Sequence, residues 1–341
     1  MKKIIISMMA VAALAACTKS EVAFEQPDAI GFQVVTGKMT KAAVTDNVYP
    51  EALNMYVFAM TETDDEAANT TADYLKNAEF AKVLVTNGQN LWGGWLNDAA
   101  YPYYWPNVKK LYFAGVSKSG NVNNGATPTY NDGTITIPGY QPGVGTTALG
   151  DNDLMWFPTT EESYGKGTVS VPVVMKHACS WITVKMAGDE WTANRYTITD
   201  IHIEGLTTKG DVALNTAAAW TLSKDDADKN KTFSVYSNTI GKVLSTTATE
   251  VGFENIANNT VVLPEQVPGT LSITYNFESQ AGETITETVT GSLKFDGDNT
   301  WAAGTHYIYT VTITASQILI APTVQTWTPS PAEGGHGVTV Q

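Results

Sequence analysis

Alternation of apolar and polar residues constrains the fold of this chain more than any other feature. Residues 271–277 place a large apolar side chain at every second position, and residues 284–292 place a hydroxyl there. The linker Gln280-Ala281-Gly282 between them is short and contains glycine, which favours a hairpin. Because side chains alternate between the two faces of a strand, one face of this hairpin is dry and the other wet. The pattern predicts an antiparallel hairpin on the outside of a β-sandwich.

The same period recurs along most of the chain and predicts an all-β protein. Residues 198–203 shift phase once, as at a β-bulge, and residues 111–116 are apolar on both faces, as in a strand buried on both sides. No long amphipathic helix is predicted. We expect two β-sandwich domains, residues 29–187 and 188–341, divided at the polar break 188–194. The other predicted strands include residues 30–36, 53–59, 134–137, 169–173, 178–186, 307–313 and 318–324.

The N-terminus has the pattern of a secretory signal. Two lysines precede an apolar stretch, residues 4–14, that is too short to span a bilayer as a helix. The stretch ends in Leu14-Ala15-Ala16-Cys17, which matches the bacterial lipobox, where the cysteine is acylated and becomes the mature N-terminus. We therefore expect a signal peptide over residues 1–16, a tether over residues 17–28, and acyl chains on Cys17 that anchor the protein in the outer membrane.

The net charge and the cysteine content exclude some kinds of partner and cross-link. The formal net charge is −14 at pH 7, from 34 acidic and 20 basic residues. A chain this acidic repels phosphate backbones, which argues against nucleic acid as a partner. If Cys17 is lipidated, Cys179 is the only remaining thiol, so the chain forms no internal disulfide. We expect Cys179 to be a small buried residue rather than a reactive one.

No residue pattern points to catalysis or to a resident cofactor. The four histidines are scattered singly, and no nucleophile motif, phosphate loop or dinucleotide fingerprint occurs. Residues 296–299, Asp-Gly-Asp-Asn, have oxygen atoms that could hold Ca²⁺. They lack the length and terminal Glu of a calcium loop, and they equally suit a plain hairpin turn. We expect a protein without enzymatic activity.

Aromatic residues supply an alternative hypothesis based on carbohydrate binding. Sugars stack on exposed aromatic faces, and Trp92, Trp95 and Trp105 are the best candidates for such a platform. In β-sandwiches tryptophan also serves in core and subunit packing. A monomeric surface lipoprotein that binds glycans is therefore the second hypothesis.

Five motifs occur in the same order as in a known family. Together, behind a lipobox, they resemble the fimbrillin-like proteins of Bacteroides-type bacteria over nearly the whole mature chain. The motifs are Tyr101-Pro102-Tyr103-Tyr104-Trp105-Pro106 with Leu111-Tyr112-Phe113-Ala114, Asp153-Leu154-Met155, Met175-Lys176-His177-Ala178, Gly205-Leu206-Thr207-Thr208-Lys209-Gly210, and Tyr309-Thr310-Val311-Thr312-Ile313 running into Pro322-Thr323-Val324-Gln325-Thr326-Trp327.

The resemblance implies a function as well as a fold. It implies an exported lipoprotein of two tandem transthyretin-like β-sandwiches that polymerises into a type V fimbria, either as a structural subunit or as an accessory or tip subunit. A surface protease would remove the lipidated segment together with the first strand, and a C-terminal strand of another subunit would fill the open groove by β-augmentation. The implied partners are other fimbrial subunits, the outer membrane through the lipid, and a ligand on a host or bacterial surface.

Lysines mark the candidate processing site. The predicted first strand is followed by Gly37-Lys38-Met39-Thr40-Lys41-Ala42, in which Lys41 is the first choice of cleavage site and Lys38 the second. The only arginine in the chain is Arg195, so an Arg-specific protease could not process this N-terminus. Either a Lys-specific protease acts, or the chain is not cleaved and sits at an end of the fibre. Ordinary exposed loop charges remain a third interpretation.

The candidate donor strand lies near the C-terminus, at residues 317–327, with residues 337–341 as a possible extension. Ile318, Ile320 and Val324 could fill alternate pockets of a neighbouring subunit. Pro322 removes one ladder hydrogen bond, which favours an edge or terminal position. The alternative is that this segment closes its own domain.

Overall fold

A computed structural model shows an all-β chain, so the predicted fold class is confirmed. No helix occurs within the described residues. These residues are 32–36, 54–61, 78–87, 95–96, 110–122, 126–131, 133–142, 153–163, 171–250, 260–294, 300–315 and 317–326.

The first ten strands lie in the predicted N-terminal domain. They are β1 (Phe32–Thr36), β2 (Met55–Thr61), β3 (Ala78–Asn87), β4 (Trp95–Leu96), β5 (Lys110–Ser117), β6 (Thr129–Asn131), β7 (Thr134–Tyr140), β8 (Met155–Ser163), β9 (Val171–His177) and β10 (Ser180–Gly188).

Ten further strands follow the turn after β10. They are β11 (Tyr196–Leu206), β12 (Gly210–Leu214), β13 (Ala218–Leu222), β14 (Lys231–Val243), β15 (Thr249–Glu250), β16 (Thr260–Val262), β17 (Thr270–Glu278), β18 (Thr284–Ser292), β19 (Thr305–Ile313) and β20 (Ile318–Thr326).

A closed sheet of seven strands, in the order β1-β4-β3-β2-β5-β8-β9, forms the N-terminal half. Its described interior side chains form a hydrophobic core, and a four-stranded sheet, β13-β12-β7-β6, covers its outer side. Strand β5 lies between the two cores. Leu111 and Phe113 belong to the interior core and Tyr112 and Ala114 to the outer one. The prediction of a strand buried on both sides is therefore confirmed.

Two sheets enclose a separate core in the second half. One contains β15-β10-β19-β20, with β16 paired to β10, and the other contains β14-β11-β17-β18. Both the predicted bulge and the predicted hairpin are confirmed. The register of β11 against β17 shifts between Ile198 and Asp200, and β17 pairs with β18 without a shift. Gly282 in the turn has φ of +79°, a conformation that glycine adopts without strain.

The sheets cross the predicted domain boundary in both directions. The hairpin β12–β13 pairs with β7 through Val212 and Ile137, although it follows the boundary in sequence. Strand β10 precedes the boundary, yet its Ile182 and Val184 belong to the core of the second half. The division into residues 29–187 and 188–341 stays a prediction, and so does the transthyretin-like detail of the two domains.

Candidate functional site

The first strand of the described chain is inserted into the closed sheet. Strand β1 pairs in parallel with β9 from Phe32 opposite Val171 to Thr36 opposite Met175. On its other side Phe32 pairs with Trp95 of β4. A strand between two neighbours supplies backbone donors and acceptors that those neighbours would otherwise leave unpaired. The closed sheet therefore depends on β1 for its continuity.

The side chain of Phe32 lies in the interior of this sheet. It is 2% exposed, and its ring packs edge-on against Phe113 with ring centroids 5.4 Å apart. Among the described residues, the hydrophobic core that contains Phe32 is formed by Met55, Val57, Ala59, Leu111, Phe113, Met155, Phe157, Val171, Val173 and Met175. Withdrawal of β1 would leave an apolar groove with an open strand edge beside it, the arrangement that accepts a foreign strand.

The last strand, β20, lies at an edge. It pairs antiparallel with β19 from Ile318 opposite Ile313 to Thr326 opposite Thr305. Ile320 is half-buried and packs on Gly291 of the facing sheet, where an added Cβ would approach its Cδ1 atom to 2.4 Å. Val324 is 52% exposed, and no residue of β20 is fully buried. The segment predicted as a donor strand thus pairs with β19 of its own chain, and its packing on the facing sheet is only partial.

The sequence matches the model of a known protein family. The model of the fimbrillin-like family matches residues 40–327. This chain belongs to the fimbrillin-like family. The resemblance inferred from the ordered motifs is therefore confirmed.

Solved structures resemble this fimbrillin-like chain in fold. A proposed cell adhesion protein from Bacteroides uniformis superposes with a TM-score of 0.51 at 14% identity, over 88% of this chain and 99% of that chain. A fimbrial protein from Bacteroides vulgatus gives 0.48 at 14% identity, over 88% and 100%. A proposed cell adhesion protein from Bacteroides ovatus gives 0.48 at 13%, over 89% and 98%. No curated protein matches the sequence.

Most of the other predicted site residues fall outside the described residues. These are Cys17, Lys38, Lys41, Trp92 and Trp105, together with the candidate calcium loop at residues 296–299. The backbone of Trp95 lies in β4, whereas its side chain is outside the described part of the fimbrillin-like chain. The lipid anchor, the processing site, the aromatic platform and the donor strand all remain predictions.

Sequence reasoning missed a buried polar contact that fixes the end of β9. His177, the last residue of that strand, shares a hydrogen bond between its Nδ1 atom and the Asp153 carboxylate, with 2.5 Å between the two atoms. Their side chains are 10% and 1% exposed. Both residues belong to motifs named above, which lie 24 positions apart. Only the pairing of Met155 with His177 in the β8–β9 ladder brings them together.

Further buried polar groups lie at the same end of β8. The Ser117 hydroxyl accepts a hydrogen bond from the Met155 amide at 2.9 Å and lies 2.8 Å from the Ser119 hydroxyl. Burial, and then the charge of Asp153, raises the pKa of the Cys179 thiol. Cys179 is therefore a protonated, buried residue, as predicted from the sequence. Because all these groups are enclosed, the cluster positions strands and offers no surface for a reactant.

Among the described residues, no group of three or more His, Cys, Asp or Glu side chains is arranged to hold a metal ion. His202 lies between the Asp200 and Glu204 carboxylates on one strand, at 2.7 and 3.0 Å. His306 stacks on Trp181 with ring centroids 3.7 Å apart. In the same part of the chain, no helix is long and apolar enough to cross a membrane.

Proposed function

We propose that this fimbrillin-like chain is a subunit of a cell-surface fimbria, either structural or accessory and tip, which assembles by protease-triggered donor-strand exchange and supports adhesion. One observation carries the proposal. The strand inserted into the closed sheet, β1, directly precedes Lys38 and Lys41, so a single cut there would separate from the body both β1 and everything before it. We propose no enzymatic role for the protein.

The burial of Phe32 explains why such a cut would drive assembly. A cut alone does not remove β1, because its hydrogen bonds and the buried ring of Phe32 still hold it in the sheet. Once displaced, however, β1 is no longer tethered to the groove, so its high effective local concentration is lost. The cut β1 and a strand from another subunit are then both separate molecules, and they compete for the open edge of β9. Cleavage would thus turn a closed monomer into a unit that accepts a strand.

The light packing of β20 supports its assignment as the donor. Its apolar residues Ile318 and Ile320 are only half-buried, and Val324 is largely exposed. Leaving its own sheet would therefore expose less apolar surface of the strand itself than the departure of a fully buried strand, and the cost of exposing such surface scales with its area. Ile318, Ile320 and Val324 alternate along the strand, so all three would face the same groove.

A designed cleavage site tests this proposal. Residues 38–41 are replaced by the site of a sequence-specific protease in the lipid-free chain, and the cut protein is examined for oligomer ladders that resist SDS without heating. We expect ladders from the cut protein and none from the uncut one. A matched variant with Ile318, Ile320 and Val324 changed to Asp should be cut equally well and form none. If the cut chain with native Ile318, Ile320 and Val324 stays monomeric, the proposal is contradicted.

Mass spectrometry of the mature protein from cells tests its anchoring and processing. We propose that the chain is first an outer-membrane lipoprotein, acylated at Cys17. An acylated N-terminal Cys17 on cell-bound protein and a start at Ala42 or Met39 on fimbrial protein are the expected forms. A fimbrial form that retains residues 32–36 would contradict removal of β1.

A further inference from the structure

Edge strands of β-sheets carry unpaired backbone groups, and folded proteins protect them with bulges, prolines, charges or short length. The two sheets of the second half of this chain have edges at β14, β18 and β20, and a further edge formed by β15 and β16, which both pair with one side of β10. These edges differ in how they are protected, and only β18 is uninterrupted.

Three of the edges are visibly interrupted. Strand β14 shifts register three times against β11, and Gly241 in it has φ of +76°. Strands β15 and β16 are only two and three residues long. In β20 the Thr314 amide donates a hydrogen bond to the Gln317 carbonyl, so residues 314 and 317 form a hydrogen-bonded pair. Because bonded and non-bonded pairs alternate along the ladder, the backbone of Pro322, opposite Tyr309, points away from β19. Because proline has no N–H, the free edge of β20 lacks a donor at its centre.

Strand β18 is neither bulged, nor short, nor interrupted by proline. It pairs with β17 over nine residues without a register shift, and it contains neither proline nor lysine. Its sequence, TITETVTGS, is rich in the β-branched residues that favour strands. Its one charged residue is Glu287, whose carboxylate accepts a hydrogen bond from the Tyr275 hydroxyl at 2.9 Å. No other strand of the described residues pairs with its free side.

The ladder phase shows which residues carry the free backbone groups. The Leu293 amide donates to the Gly269 carbonyl and the Ser279 amide donates to the Glu283 carbonyl, so these two pairs bracket the β17–β18 ladder. Hydrogen-bonded and non-bonded pairs alternate in an antiparallel ladder. The residues whose N–H and C=O groups point away from β17 are therefore Thr284, Thr286, Thr288, Thr290 and Ser292, all of them exposed.

We propose that the free edge of β18 is a self-association surface, on which β18 of a second copy of this chain adds antiparallel about a two-fold axis through Thr288. In this register the strands overlap fully, and residue pairs such as Thr286 and Thr290 face each other across the axis. Opposed threonine hydroxyls are favourable cross-strand neighbours. The two four-stranded sheets would join into one continuous sheet of eight strands.

Charge selects this register over its neighbour. With Thr288 on the axis, Glu287 of each copy lies opposite Val289 of the other. A shift that places residue 287 on the axis would set Glu287 directly against its own copy, and like charges in that position are destabilising. The contact is isologous, so it closes as a dimer and does not propagate. It uses neither β1 nor β20 and is independent of the fimbrial assembly proposed above.

The test uses residues 18–341, uncut, and measures association by sedimentation velocity. We expect a concentration-dependent dimer that strengthens between about 50 and about 500 mM NaCl, because salt screens the repulsion between acidic chains. Thr288→Pro should raise the dimer dissociation constant at least roughly tenfold, since it removes an outward-facing donor without breaking the β17 ladder. The matched control Val324→Pro removes an outward-facing donor from β20 and should leave the dimer unchanged.

Cross-linking tests the register. Thr288→Cys should be joined to its own copy by a short bismaleimide, because residue 288 lies on the axis, whereas Cys179 is buried. Thr284→Cys should not be joined, because at about 3.4 Å per residue it lies roughly 27 Å from its copy. A monomer at all concentrations, a dimer indifferent to Thr288→Pro, or equal cross-linking at both positions would overturn the proposal. The proposal would also be overturned if the free edge of β18 bound a strand of another protein instead of β18 of a second copy.

Discussion

The first and last strands of this chain differ in how much of the fold depends on them. Strand β1 has five residues and β20 has nine, yet β1 lies between two neighbours and buries Phe32, whereas β20 lies at an edge and buries no residue fully. Burial, rather than strand length, therefore decides which strand the core needs. An acceptor groove requires a strand whose loss opens the core, and a donor requires a strand whose loss does not.

The largest expected effect is that of Phe32→Ala. Truncation of a fully buried phenylalanine removes apolar contacts and leaves a cavity next to Phe113, so we expect the free energy of unfolding to fall by about 3–5 kcal/mol. Urea denaturation followed by fluorescence measures the change. Phe32→Leu, which keeps most of the volume, should lose clearly less. A change below about 1 kcal/mol for Phe32→Ala would show that the core does not need β1.

The next effect sharpens the role of β9, the strand that holds β1. Asp153→Asn removes the charge that His177 faces at the end of β9 while keeping the shape of the side chain. We expect a loss of about 2–3 kcal/mol, because it leaves a buried polar partner poorly satisfied. Thermal unfolding measures it, and Asp226→Asn, at a fully exposed side chain, is the control. Equal losses of stability for the two substitutions would show that the buried contact does not fix the end of β9.

Sequence patterns predicted the strands far better than their partners. The alternation in residues 271–292 predicted both strands of a hairpin and its turn, because contacts within a hairpin are local. The insertion of β12 and β13 beside β7 joins segments about seventy residues apart and has no local signal. The Asp153–His177 contact likewise could not be predicted, although each residue belongs to a recognisable motif. Such contacts are fixed by sheet register, which a single sequence does not display.

Alkaline pH separates the core beneath β20 from the core around β1. The described side chains of the β1 core include no ionisable group, whereas the core beneath β20 contains Tyr309. Burial raises the pKa of Tyr309, so the folded chain holds its phenol proton more tightly than the unfolded chain does. Its contribution to stability is full below about pH 10 and is lost as the pH rises, by about 1.4 kcal/mol at pH 11.

Hydrogen exchange between pH 9 and pH 11, corrected for the intrinsic rate, measures this difference. Amides of β19 should lose protection before those of β9, whose Val171, Val173 and Met175 belong to the β1 core. The Tyr309→Phe variant should lose less protection at β19 over the same range, despite lacking the 2.9 Å hydrogen bond from Trp301. Simultaneous loss in both cores would contradict a separate alkaline transition.

The smallest effect concerns β20 itself. Ile320 is half-buried against Gly291, so Ile320→Ala should cost only about 1 kcal/mol, below the range for fully buried isoleucines. Val324→Ala, at a largely exposed position, should stay within about 0.5 kcal/mol. Equilibrium unfolding of both variants beside Phe32→Ala gives the comparison on one scale. A loss for Ile320→Ala as large as that for Phe32→Ala would abolish the distinction between the two strands.

Hydrogen exchange at β9 tests the central claim, that β1 is a removable strand whose place another copy's last strand can take. The chain is cut at an engineered site in residues 38–41, and a peptide of residues 317–327 is then added. The account predicts that residues 171–177 lose amide protection once β1 is displaced and regain it when the peptide binds. Protection of β9 that is unchanged by removal of β1, or that the peptide does not restore, would contradict it.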